Sequence, residues 1–224
     1  LATQEKPMLF DWSQIDRVFL DLDGTLLDLH YDNHFWLEHV PVRYAEKHGL
    51  DHAEAKQILH TKYTAVANSL NWYCVDYWTR ELDLDIPQLK QEIAHKISVR
   101  PSVENFLQYL HMHGKRVVLV TNAHSASIAI KMNKTGLDRH FDRIITSHEL
   151  GHAKEHAAFW SALNNIESFD NQRTLFIDDN FQVLDAARDY GIKHLLAIRK
   201  PDSRGADKQH PSYVLLDSFE QIMK

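Results

Sequence analysis

The chain has 224 residues, and its 25 Lys plus Arg against 31 Asp plus Glu give a formal charge of −6 with neither sign gathered into a block, which argues against a nucleic-acid groove or a polybasic membrane patch. Its one cysteine, Cys74, excludes an intrachain disulfide and a multi-thiolate metal site, and no apolar run approaches the length of a membrane span. The opening LATQEKPMLFDW has no basic-then-apolar leader, so the expectation is a soluble cytoplasmic protein with one core domain and an inserted lobe.

The first predicted strand covers residues 17–22 and climbs through Val18, Phe19 and Leu20 to Asp21, with Asp23, Gly24 and Thr25 directly after it. Two carboxylates two residues apart at the end of a buried strand are costly unless a cation or a reacting group compensates them. Residues 33–49, 51–68, 75–83 and 86–97 then carry helical spacing with no convincing strand between them. From residue 100 the pattern alternates, with helices at 101–114, 125–136, 155–166 and 181–191 and apolar strands at 116–122, 143–147, 173–179 and 193–199. Short apolar strands separated by helices imply right-handed crossovers, hence an α/β fold with a Rossmann-like parallel sheet of at least five strands. The predicted core domain is 1–29 plus 99–224, and 30–98 is an all-helical cap inserted after the first strand. Ligands of such sheets bind beyond the carboxyl ends of the strands, where the cap would stand. A polar loop at 201–212 precedes a short terminal helix.

Equivalent strand ends converge on one rim. Asp21 lies at the end of the first strand, Thr121 and Asn122 end the next, Lys154 follows the strand at 143–147, and Asp178 and Asp179 end the strand at 173–179. A cluster of carboxylates with oxygen-only ligands suits Mg²⁺ bound beside a substrate phosphate. Mg²⁺, the Lys154 ammonium and the Thr121 hydroxyl suit the charge on a phosphoryl group in transfer. Asp21 is placed to attack phosphorus and form an aspartyl-phosphate, and Asp23 to protonate the departing alcohol and later deprotonate water. Gly24 lets the backbone turn so that both carboxylates face one centre. An isolated DxD carries little information; the ordered set DxDGT, TN, Lys and DD, each after a strand, carries much more.

This arrangement resembles the haloacid dehalogenase superfamily, whose members are mostly Mg²⁺-dependent phosphatases with a helical cap after the first strand. The resemblance covers residues 16–198, and it is closest to the bacterial GMP/IMP nucleotidase group in the segments DNHFW at 32–36 and LNWYCVDYW at 70–78, together with TLLDL, LVTNAH, TGLD and RTLFIDD. It implies hydrolysis of purine nucleoside 5'-monophosphates, with a small-molecule phosphate ester as the partner. By the same resemblance Asp21 is the nucleophile and Asp23 the general acid and base. Thr121 and Lys154 hold phosphate, with Asn122 beside them, and Asp178 joins Asp21 and the Asp23 carbonyl on the metal. Asp179 binds the metal through water or orients Lys154. Many relatives place proline after the lysine, whereas this chain has Glu155.

Competing motifs are weaker. HELGH at 148–152 satisfies the zinc-protease pattern, yet it follows a strand directly, carries Gly151 in its middle, and has Glu155 and Ala158 where the extended motif needs Gly and His. His124 borders the rim or caps a helix on the surface. Dehalogenation has no leaving alcohol to protonate and no need of Asp23. A phosphatase for a sugar phosphate or similar ester, a phosphomutase, and a non-catalytic phosphate-binding protein are the alternatives. In the cap, Trp36, Trp72, Tyr73, Tyr77 and Trp78 offer stacking surface for a purine, although aromatics at helical spacing usually fill a core, which is the expectation for three of the five. Cys74 is expected to be a small core residue. Asp32 and Asn33 meet base or ribose, or cap the helix that begins with HFW.

Overall fold

The structure is a computed structural model and describes residues 11–223; residues 1–10, which include most of the opening stretch and the first part of the expected core domain, and Lys224 lie outside the described residues. Six strands, β1 (Arg17–Leu20), β2 (Arg116–Thr121), β3 (Arg143–Thr146), β4 (Thr174–Asp178), β5 (His194–Ile198) and β6 (Val214–Leu216), form one sheet in the order β3-β2-β1-β4-β5-β6. Every pairing is parallel, and β1 lies at the centre between β2 and β4. The strand order reverses between β1 and β4, which opens a crevice at their carboxyl ends.

Both faces of the sheet are covered, which is why the strands read as unbroken apolar runs. Val18 and Leu20 pack with Leu107, Leu110, Val117 and Leu119 on one face, while Phe19 packs with Val118, Phe159, Trp160 and Phe176 on the other. The helices between residues 30 and 96 belong to the first of these clusters through Tyr31, Phe35, Trp78 and Leu89. The chain leaves and re-enters the sheet side by side: Leu27 bridges Val99, the Asp28 amide donates to Ser98 O at 3.0 Å, and the Arg100 amide donates to Leu26 O at 2.9 Å.

Several boundaries differ from expectation. The helix placed at 33–49 begins at His30 and runs unbroken to His48 with one π turn at Phe35–His39, just before Pro41. Proline has no N–H to donate, and a wider turn accommodates its ring. Asp32 and Asn33 therefore lie inside this helix and cap nothing; the His30 amide is taken by Asp28 Oδ1 at 3.0 Å. Residues 70–73 form an extra helical turn, and the helix placed at 86–97 stops at Glu92 before a 3₁₀ turn at Ala94–Lys96. The strand β6, three residues long, was too short for periodicity to register, and the terminal helix is a 3₁₀ turn at Phe219–Ile222. Among the described residues no helix is long and apolar enough to cross a membrane.

Candidate active site

Strand β1 stops at Leu20 because the chain must turn at Gly24, whose φ of +86° suits only glycine and whose added Cβ would lie 2.7 Å from Asp179 Cγ. The Asp21 amide still donates to Ile177 O at 3.0 Å, so its carboxylate is fixed beside the end of β4. One oxygen each of Asp21, Asp178 and Asp179 lies within 4.8 Å of the others, and all three side chains are buried. Lys154 Nζ sits among them, donating to Asp21 Oδ1 at 2.6 Å, Asp178 Oδ2 at 2.7 Å and Val120 O at 3.1 Å.

The rim around this cluster is braced by hydrogen bonds. Thr121 Oγ1 accepts the Ala123 amide at 3.0 Å, and Asn122 Oδ1 accepts the Lys154 amide at 2.9 Å. Asn122 Nδ2 donates to Glu155 Oε2 at 2.9 Å, whose other oxygen accepts the Tyr73 hydroxyl at 2.5 Å. Asp179 is held by Lys208 Nζ at 2.9 Å; it is Asp178, one residue earlier in the pleat, that orients Lys154, which corrects the alternative in which Asp179 did so.

Asp23 lies across a second ion network. Its Oδ2 is 2.7 Å from Lys131 Nζ, which also donates to Asp32 Oδ2 at 2.7 Å, and Lys90 Nζ donates to Asp32 Oδ1 at 3.1 Å. Asp23 Oδ1 is buried without a hydrogen-bond partner. Burial pushes Asp21, Asp23 and Asp178 up to about 6; Lys154 opposes this at Asp21 and Asp178, while Asp32 adds to it at Asp23. Burial also raises Asp179. Burial would raise Asp32 as well, but Lys131 and Lys90 outweigh it and bring it down to about 2.

A cavity of about 490 Å³ opens from Asp21, Asp23, Thr121, Asn122, Lys154, Asp178 and Asp179 toward the helices of the insertion, where Trp36, Trp72 and Tyr73 line it. Trp78 is core, while Trp36, Trp72 and Tyr77 are half-buried and pack against the core. Asn33 also faces the cavity and donates to Asp202 Oδ2 at 2.7 Å. His124 lines the cavity and caps the helix Ser125–Thr135, and it is half-buried rather than a surface residue. The HELGH stretch holds one helical turn, Ser147–Leu150, that ends at Gly151 with φ +72°, so its two histidines do not share a helix.

Sequence reading missed Lys131, Lys90, Lys208 and Glu155 as parts of this site. For Lys131 a signal existed: it falls in phase with buried Ile128 and Met132 on one helix face. A lysine at a core position needs a carboxylate partner.

The sequence profile of the haloacid dehalogenase-like hydrolases matches residues 15–191, and the chain belongs to that family. It is an enzyme of the phosphoric monoester hydrolase class. It is 39% identical over 212 residues to the GMP/IMP nucleotidase YrfG of Escherichia coli strain K12, covering 95% of this chain and 96% of the relative. A phosphoglycolate phosphatase of Pseudomonas fluorescens is 26% identical over 181 residues, 79% of this chain and 66% of the relative. The crystal structure of a HAD phosphatase from Thermococcus onnurineus superposes with a TM-score of 0.78 at 20% identity, covering 93% of this chain and 96% of that one, which shows the shared fold.

Proposed function

We propose that the chain is a Mg²⁺-dependent 5'-nucleotidase of the GMP/IMP type, acting in the cytoplasm through an aspartyl-phosphate on Asp21. In this reading residues 30–98 act as a cap domain over a core made of 1–29 and 99–224. The observation that carries it is the pairing of Asp21, held at 2.6 Å by Lys154, with a nearby Asp23 whose Oδ1 is buried and unpartnered. A nucleophile beside an acid-base group with one oxygen awaiting a partner is what phosphate-ester cleavage requires.

The donor set fits Mg²⁺. Asp21, Asp178 and Asp179 offer hard oxygens, and the five carboxylates Asp21, Asp23, Asp32, Asp178 and Asp179 face only four ammonium groups, Lys90, Lys131, Lys154 and Lys208. Asp21, Asp178 and the Asp23 carbonyl would hold the ion, with Asp179 binding directly or through water. When bound, it would neutralise phosphate charge and supply Lewis acidity. Lys154, the Thr121 hydroxyl and Asn122 hold the phosphate, Asp21 attacks in line, and Asp23 donates its proton to the leaving 5'-oxygen. Asp23 then takes a proton from the water that opens the aspartyl-phosphate.

For the substrate, the support is the cavity with its Trp36 and Trp72 walls and the 39% identity to a protein named for GMP and IMP. A panel of GMP, IMP, AMP, pyrimidine nucleotides, sugar phosphates and phosphoglycolate with Mg²⁺ tests it. Preference for the 6-oxopurine nucleotides is expected. Equal rates across the panel sink the nucleotidase reading in favour of a phosphatase for other small esters, mutase products would point to a phosphomutase, and binding without phosphate release would make the chain a phosphate-binding protein.

A further inference from the structure

Three residues that the sequence offers separately, Cys74, His124 and the first histidine of HELGH, His148, meet in space. One ligand atom of each lies within 4.8 Å of the other two. Cys74 comes from the inserted helices, whereas His124 follows β2 and His148 follows β3. The two imidazoles stand edge to face with centroids 4.9 Å apart, and His148 Nε2 is buried with no hydrogen-bond partner. A buried unpartnered ring nitrogen beside a thiol and a second imidazole lacks a ligand of its own.

We propose that Cys74, His124 and His148 form a binding site for a borderline-soft divalent cation, Zn²⁺ above all, distinct from the oxygen-only carboxylate cluster. One thiolate and two imidazoles select zinc over magnesium, as hard Mg²⁺ takes oxygen ligands. Tetrahedral zinc holds such atoms roughly 3.3–3.6 Å apart, so the half-buried side chains need to close in by no more than about 1.5 Å. The fourth position falls to water or to Asp76, whose Oδ2 lies 3.6 Å from His124 Nε2. Binding releases the Cys74 thiol proton to solvent and leaves the sulfur able to keep the Tyr77 amide bond it accepts at 3.4 Å. Ligation through Nδ1 displaces the long 3.3 Å bond from the Ala126 amide, and ligation through Nε2 also releases the 3.6 Å contact with Asp76, which can then join the ion. Because Cys74 comes from the inserted helices and the two histidines from the ends of β2 and β3, the ion staples the insertion to the sheet and slows turnover. That consequence rests on the cap role proposed above; the site itself does not.

The test is a Co²⁺ titration of chelator-treated protein held at saturating Mg²⁺. One equivalent should bring up a near-ultraviolet thiolate-to-cobalt band. That band should vanish in Cys74→Ser and need at least about tenfold more Co²⁺ in His148→Gln. Serine caps the helix Val75–Leu82 as well as cysteine does, and both variants should keep Mg²⁺-dependent turnover of p-nitrophenyl phosphate. No band in the wild type, or undiminished affinity in His148→Gln, overturns the site. At saturating Mg²⁺, Zn²⁺ should slow the wild type and spare Cys74→Ser; equal inhibition of the two overturns the staple. Loss of nucleotide preference in the panel above would leave the cobalt result standing.

Discussion

Asp21 and Asp23 differ in what holds them, and the difference separates their roles. Asp21 accepts from Lys154 at 2.6 Å, which keeps an anionic nucleophile available, whereas Asp23 leans on Lys131 with one oxygen and presents the other unpartnered. Asp21→Asn should abolish phosphate release from every ester, with no acid-trappable phosphoenzyme. Asp23→Asn should lower kcat by roughly 10²–10⁴, the usual worth of a general acid and base, and least for p-nitrophenyl phosphate, whose leaving group needs little protonation. Burial above all raises Asp178 to about 6, so between roughly pH 4 and 6 the native state binds more protons than the unfolded chain. Metal-free stability therefore falls as pH rises through that window and stays lower above it. Asp178→Asn should melt about 4 °C higher than the wild type at pH 8 without metal, and the gain should shrink at pH 4.5. Mg²⁺ should raise the wild-type Tm and leave this variant's unchanged. Scanning calorimetry with and without EDTA measures both, and a lower Tm for the variant at pH 8 would refute the crowding of charge.

At the scale of the element, the loop after Ser147–Leu150 matters most. Lys154 reaches the carboxylate cluster, Glu155 takes the Tyr73 hydroxyl, and His156 Nε2 lies 3.3 Å from Asn68 O, so three consecutive residues join the site to the inserted helices. Glu155 stands where the family resemblance leads to an expectation of proline, and its carboxylate gives this loop a hold on both Tyr73 and Asn122 that proline could not supply. Tyr73→Phe removes a bond to a charged acceptor, worth about 1.5 kcal/mol or more, and so loosens the hold of the proposed cap on the loop beside the site. The expected outcome is a KM for nucleotide raised roughly tenfold with kcat changed far less, since no reacting group moves. Steady-state kinetics decides it; a loss confined to kcat would place Tyr73 in the chemistry instead. The parts of this region that could be read from the chain were those governed by local spacing. DLDGT, TN and IDD each follow an apolar strand, and strand ends in a parallel sheet must meet. Glu155 was visible only as a departure, because its partner Tyr73 is 82 residues away. The helix start at His30 and the short β6 escaped for a different reason: the first has no side-chain cap at Leu29, its His30 amide being taken by Asp28 further back, and the second spans only three residues, less than two full periods of a strand.

Across the whole molecule, the insertion is tied to the sheet by charge as well as by apolar packing. Lys131, on a helix of the sheet side and 1% exposed, holds Asp23 beside β1 and Asp32 in the first inserted helix, while Lys90 approaches Asp32 from another inserted helix and lies 4.3 Å from the centroid of the Phe35 ring. Pairings separated by 99 and 58 residues have no local signature, which is why the network was illegible although Lys131 occupies a core phase. Asp32 and Lys131 are worth most as a set: removing the lysine leaves Asp23 and Asp32 facing each other with only Lys90 to offset them. Lys131→Met keeps the aliphatic volume and should cost about 3–5 kcal/mol at pH 7.5, the usual result of orphaning a buried charge. The pH dependence carries the diagnosis. Asp32 is depressed to about 2 in the folded state, so in the wild type its contribution is present above roughly pH 4 and is lost as pH falls toward 2. With Lys131 gone, much of that depression goes too, and Asp23 and Asp32 take up protons at milder acidity. The gap in unfolding free energy between wild type and Lys131→Met should therefore be widest near neutrality and narrow on acidification, from the milder pH at which the variant's Asp23 and Asp32 take up protons down to about 2, where wild-type Asp32 is protonated as well. Urea titrations at pH 7.5, 5 and 3 measure it, and a gap of constant size across that range would assign the loss to packing alone.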